Sequence, residues 1–239
     1  MKLNTKRTIL VGLAFLSISS FWQVYDNVIP LILKNTFNIS DTIAGAIMAL
    51  DNVLALFMLP LFGKLSDGID TPIGKRTPFI LGGTIAAVIV MLFIPISNNI
   101  RSLPLFIGGL FLALLAMSTY RSPAVALMPD VTPKPLRSKA NAIINLMGAV
   151  GAMLALVLIK LLVDSSSSPN YLPLFIAIAV IMIAAVVVLL KTINEKKLSN
   201  EIAQINAEVE TVEESSQDED APMAKDVKRS LIFILLSVS

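Results

Sequence analysis

Long apolar runs alternate along this chain with polar breaks too brief to fold on their own. Six runs reach the roughly 20 residues that a helix needs to cross a hydrocarbon core about 30 Å thick. They lie near 8–33, 42–62, 78–97, 103–128, 139–163 and 170–191. This pattern predicts six membrane helices, and the short connections make successive helices run antiparallel. The first run imitates a secretion signal, with bases, an apolar stretch and then small residues. It continues through Phe21 and Val28 to Leu33, however, which predicts a retained span. A seventh run opens at Ser230 and stops at Ser239, too short to cross.

Residues 192–229 break the pattern differently. Leu198, Ile202, Ile205, Val209 and Val212 recur every three or four positions with Glu and Asn between them. That spacing predicts an amphipathic helix lying on a surface. The acidic run SSQDEDAP behind it predicts a solvated, disordered linker. The expected organisation is an all-α six-helix transmembrane unit over 1–191, a loop with its own helix and acidic linker over 192–229, and the start of a seventh helix over 230–239.

Composition narrows the chemistry. Of 239 residues 55% are hydrophobic and 15% charged, against about a quarter charged in soluble domains, and the mean hydropathy is +0.79. Cys and His are both absent, so disulfides, thiolates and imidazole shuttles are excluded, and proton chemistry must use carboxylates. There is no phosphate-binding Gly-rich loop, metal cluster or catalytic triad. The expectation is no enzyme, no organic cofactor and no nucleic acid, with the lipid bilayer as the obligatory partner. Fifteen Lys and Arg fall on one side of the spans and only Lys34 and Arg101 on the other. By the positive-inside rule the N-terminus and the central loop are cytoplasmic.

Ionisable residues inside spans are costly and mark function. Asp26, in the outer part of the first run, sits among Trp22, Gln23, Tyr25 and Asn27. Gln23 and Asn27 share one helix strip at i and i+4, as Trp22 and Asp26 share the next. An indole beside a carboxylate and amides suits a sugar, with apolar faces and hydroxyl edges. The competing reading is an interfacial helix end, where Trp and Tyr concentrate. Asp51 falls near mid-membrane and reads as a coupling group or an interhelical hydrogen bond. Arg121 cannot lose its charge, so it needs a carboxylate, water or substrate, or it snorkels to the surface. Asn145, one turn after Asn141, either meets substrate hydroxyls or ties helices together.

One polar knot stands between the second and third runs: Gly63 to Arg76, GKLSDGIDTPIGKR. Its Asp67, Pro72 and Arg76 are echoed after the fourth run by Asp130, Pro133 and Arg137. With Ser66-Asp67, Gly74-Lys75-Arg76 and Pro78-Phe79-Ile80, the knot resembles the signature loop of the major facilitator superfamily. Its longer spacing is similar to the sucrose transporter and glycoside–pentoside–hexuronide:cation symporter branch. The stretch PDVTPKPLRSKANA, carrying Asp130, Arg137 and Asn141, resembles the same branch, and the likeness covers residues 1–191.

The resemblance implies a twelve-helix fold of two halves, of which this sequence holds the N-terminal six helices and the start of the seventh. It further implies a central cavity lined by the first and fourth helices, and alternating access. Gly63, Asp67, Gly74, Lys75 and Arg76 would form the gating loop, joined by Asp130 and Arg137. One departure is Gly68, where the family carries a base directly after the loop aspartate. The expected function is secondary active transport in the plasma membrane, coupling H⁺ or Na⁺ to a sugar or glycoside. Trp22, Gln23, Asp26, Asn27, Asp51, Arg121 and Asn145 are the expected substrate and ion residues. Two rivals are a proton-driven exporter of drugs or metabolites, and a truncated protein inactive without a separate C-terminal half.

Overall fold

A computed structural model describes residues 2–164 and 169–219, and these are helical almost throughout. The first span is α1 (Thr5–Asn35). Its start is capped by the Asn4 side chain, which accepts from the Arg7 N–H at 3.1 Å and so satisfies one of the four orphan donors there. The second span is broken into α2 (Asp41–Met48) and α3 (Leu50–Asp67), and the third into α4 (Thr77–Met91) and α5 (Phe93–Asn99). Pro95 accounts for the second of these breaks, because it has no N–H to return to the Met91 carbonyl. Asp51 marks the other. Its carboxylate accepts from the Asn52 backbone N–H at 2.6 Å, at a new helix start where a negative charge is favoured.

The remaining spans are α6 (Leu103–Asp130), α7 (Arg137–Leu162) preceded by a 3₁₀ turn, and α8 (Leu172–Thr192). Among the described residues six helical spans are thus long and apolar enough to cross a membrane, with limits close to those the hydropathy pattern predicts. α1 is the central post, packed on α7 and α8, while α6 packs on α4 and α3. The two groups are tied where the Tyr120 hydroxyl of α6 donates to the Ala14 carbonyl of α1 at 3.0 Å. Outward faces are apolar, as with Leu56 and Phe57 on α3 and Leu146 and Leu161 on α7.

Small residues set the α1–α7 distance. A side chain added at Gly151 would run into the Leu16 backbone carbonyl, and one at Gly148 would lie 2.9 Å from the Ser19 hydroxyl. Close backbone approach of this kind is how helices gain packing energy where lipid offers no hydrophobic drive. Gly151→Leu is therefore expected to destabilise the protein by about 1–3 kcal/mol through overpacking, or by more if the helices part. Thermal unfolding in detergent checks it. Gly108→Leu is the control, since nothing lies within 4 Å of a Cβ there.

The loop helix α9 (Glu195–Glu219) docks as its stripe predicts. Ile202 is buried, Leu198, Ile205 and Val209 are half-buried, and the Asn206 side chain accepts from the Lys134 N–H at 2.9 Å. The expectation of disorder from Ser215 onward is corrected for 215–219, which continue the helix. Extending a docked helix costs far less than nucleating one, and Glu, Gln and Ser resist it only weakly. The rest of the acidic linker and the seventh apolar run, 220–239, lie outside the described residues.

Candidate functional site

Trp22, Gln23 and Asp26 of α1, Arg121 of α6 and Asn145 of α7 line one cavity of about 360 Å³. The sequence scatters them over more than a hundred positions, and the helix packing gathers them. Arg121 lies over the Trp22 ring, its guanidinium carbon 5.3 Å from the centroid, a cation–π contact. Its stem therefore points into the bundle and does not snorkel to the surface. The indole also meets Phe21 and Tyr25 edge-on, at 5.6 and 5.3 Å. Its Nε1 is buried with no hydrogen-bond partner.

Two expected residues lie outside that lining. Asn27 is exposed, its amide turned back to the Gln23 carbonyl at 2.8 Å. Asp51 stands at the start of α3, close enough to act electrostatically on Asp26 and Tyr25. The Tyr25 hydroxyl donates to the Met48 carbonyl at 3.1 Å, so the Asp26 region of α1 rests against the break in the second span.

The knot sits at the end of the bundle that carries most of the bases. Its hub is Arg76, whose side chain is only 7% exposed. Nε donates to Asp130 at 2.8 Å, Nη2 to Asp67, and Nη1 to the Ser66 hydroxyl and the Gly63 carbonyl. The two echoed turns thus share a single guanidinium. Burial works against its charge, but the hydrogen bond to Asp130 and the charges of Asp130 and Asp67 outweigh that and leave its pKa raised. Arg76 stays charged.

Beneath the hub lies a residue the sequence reading missed. The Glu195 carboxylate, at the head of α9, accepts the backbone N–H groups of Lys75, Arg76 and Thr77 at 2.7, 2.8 and 2.7 Å. It also accepts the Thr77 hydroxyl at 2.7 Å. A carboxylate at the start of α4 satisfies orphan donors and suits the helix dipole. Gly74 makes room for it: its φ is +118°, and a Cβ there would overlap Glu195. Lys196 adds a bond to Asp70 at 3.1 Å. The available signal was a lone acid between Lys191 and Lys196-Lys197 in a basic stretch.

Two residues of the expected gating loop, Lys75 and Arg137, make contacts at helix ends. Lys75 gives Glu195 its backbone N–H while its side chain stays exposed. Arg137 makes no ion pair with Asp130; its guanidinium donates to the Thr132 and Pro129 carbonyls at 3.3 and 2.9 Å. There it caps the last turn of α6, whose carbonyls lack helical partners.

The family profile described as Major Facilitator Superfamily matches residues 10–239. Over 138 residues the chain is 30% identical to the sucrose transport protein SUC3 of Arabidopsis thaliana, covering 50% of this chain and 23% of that protein. Over 127 residues it is 28% identical to the alpha-ketoglutarate permease of Escherichia coli, covering 53% of this chain and 27% of that one. The matched stretch thus spans about a quarter of each relative's length.

Proposed function

Because the chain belongs to the major facilitator superfamily of membrane transporters, we propose that its six helices form the substrate-holding half of a cation-coupled symporter for a small, oxygen-rich solute of the sugar type. The observation that carries this reading is the single cavity uniting Trp22, Gln23, Asp26, Arg121 and Asn145. Its volume falls within the roughly 300–1,000 Å³ of small-molecule sites. The relatives named above are called transporters of sucrose and of alpha-ketoglutarate, both small solutes rich in oxygen.

In this reading the protein sits in the plasma membrane, and the excess of bases on one side supports a cytoplasmic position for the knot and α9. There the Arg76 cluster holds the inner ends of α3, α4 and α6 together while the solute sits nearer the outside. The exposed apolar faces of α3 and α7 meet a second six-helix bundle across the cavity. Transport follows from the solute and the ion binding the two access states unequally. Asp26 is the coupling carboxylate, since among the described residues it is the acid that lines the cavity, and Asp51 biases it from the neighbouring span.

The test is solute uptake by the two six-helix bundles together, in vesicles with an imposed ion gradient. Asp26→Asn should lower uphill accumulation by about tenfold or more, a coupling of the usual 1–3 kcal/mol being lost. Exchange of solute across the membrane should persist. Normal uphill uptake by Asp26→Asn would remove Asp26 from coupling, and absence of solute-specific flux from the parent would remove the reading itself.

A further inference from the structure

We infer that Tyr120 and Ser122 are positioning residues: their hydroxyls pin α6 to two different helices and so aim Arg121, the residue between them, at Trp22 and the cavity. This rests on the reading of that cavity as the substrate site and names what holds its guanidinium in place.

Tyr120 is fully buried. Its hydroxyl donates to the Ala14 carbonyl of α1 at 3.0 Å and lies in hydrogen-bond contact with the Ser17 hydroxyl. Two positions on, the Ser122 hydroxyl donates to the Leu59 carbonyl of α3 at 2.8 Å. Successive residues of an α-helix are turned by about 100°, so these two ties stand about 200° apart around α6. One tie leaves a pivot. Two on nearly opposite sides fix the rotation of the helix, and Arg121 points out between them.

Both ties occur where a glycine lets the neighbouring backbone come close. Gly63 lies one turn from Leu59 on α3, and a Cβ there would stand 3.2 Å from the Ser122 hydroxyl oxygen. A Cβ at Gly83 of α4 would come within 2.9 Å of the Tyr120 Cβ and backbone nitrogen. α4 therefore presses on α6 at the residue that reaches across to α1.

The ties fall where α6 is weakest. Pro123 lies inside the helix and has no N–H to return to the Thr119 carbonyl, so the rung that spans Arg121 is missing. Prolines at such positions are where helices bend. The Trp22 ring is steadied within α1 by edge-on contacts to Phe21 and Tyr25 at 5.6 and 5.3 Å. The cation–π contact of Arg121 with that ring is too modest to set the rotation of a whole helix. The hydroxyls on either side supply what the missing rung does not.

The chain has no Cys and a single Trp, so one introduced thiol and one quencher define the measurement. The full chain carrying Arg121→Cys is labelled with a bimane in detergent; tryptophan quenches bimane on contact, and lifetimes give the ratio of quenched to free label. Trp22→Phe in the same background supplies the unquenched reference. Removing both hydroxyls, with Tyr120→Phe and Ser122→Ala, should lower that ratio about threefold or more, the scale of losing one or two hydrogen bonds. Each change alone should give part of the fall. Ser122→Thr, which keeps a hydroxyl, should hold the ratio near the parent's, and Pro123→Ala, which returns the missing rung, should offset the double change. Circular dichroism verifies folding, and the single variants decide the matter if the double variant does not fold. An undiminished ratio in folded Tyr120→Phe and Ser122→Ala overturns the inference and leaves the substrate reading standing, because solute uptake judges that separately. A ratio in Ser122→Thr as low as in Ser122→Ala overturns the part given to the Ser122 hydroxyl. Bimane that Trp22 does not quench in the parent background overturns the inference outright, since position 121 then does not face that ring.

Discussion

Glu195→Ala is expected to destabilise the protein by about 3–5 kcal/mol and to expose the amides of Lys75, Arg76 and Thr77 to exchange. The carboxylate is almost wholly buried, at 2% exposure, and four donors converge on it. Its removal strands them, and each buried donor left unsatisfied costs about 1–3 kcal/mol before water relaxes into the gap. The positive end of α4 also loses its counter-charge. Glu195→Gln keeps acceptor capacity but turns an NH₂ toward the same donors, so about half of the loss should remain by the same desolvation logic. Hydrogen exchange over residues 70–80 distinguishes this from general loosening, because the exposure should begin there and leave α8 protected. Unchanged exchange in Glu195→Ala would show that α9 rests on the knot without anchoring it.

The second large effect falls on the hub. Arg76→Ala should cost about 3–5 kcal/mol, the range for breaking a buried ion pair and leaving its partner alone. Most of that comes through Asp130, 29% exposed, because Asp67 is 63% exposed and solvent screens its pair. Arg76→Lys should recover only part, since a single ammonium cannot reach Asp67, Asp130, Ser66 and the Gly63 carbonyl at once. A double-mutant cycle with Asp130→Asn gives the decisive number. If the two turns meet at this guanidinium, the paired losses are non-additive by about 0.5–3 kcal/mol. Additive losses would mean that Asp67 and Asp130 are held independently.

The polar knot is held together although no base follows its aspartate. Gly68 ends α3 there, and the extra contacts come from across the chain: Lys196 holds Asp70, and Glu195 holds the backbone after Gly74. The loop helix is thus built into the same network as both turns. The position of α9 and the hold on the third span are linked, because pulling α9 away removes the acceptor on which the start of that span rests.

The run lengths of apolar residues fixed six spanning helices, because a bilayer of set thickness leaves the backbone no other way to satisfy its hydrogen bonds. The spacing of Leu198, Ile202, Ile205 and Val209 likewise fixed which face of α9 docks, since a helix turns its side chains with a constant period. Asp26 and Arg121 were legible as residues needing a reason, because charge in hydrocarbon is costly anywhere. Their meeting was not legible. Which residues of α1, α6 and α7 share a cavity depends on helix rotation and approach, set by contacts such as Gly151 on Leu16 that have no signature along the chain. Asn27 and Asp51 fall outside the cavity for the same reason. Glu195 was hidden more deeply, as one acid among many in a polar loop. Only the fold brings it beneath Gly74, 121 positions earlier in the chain, where three backbone amides without helical partners are waiting for it.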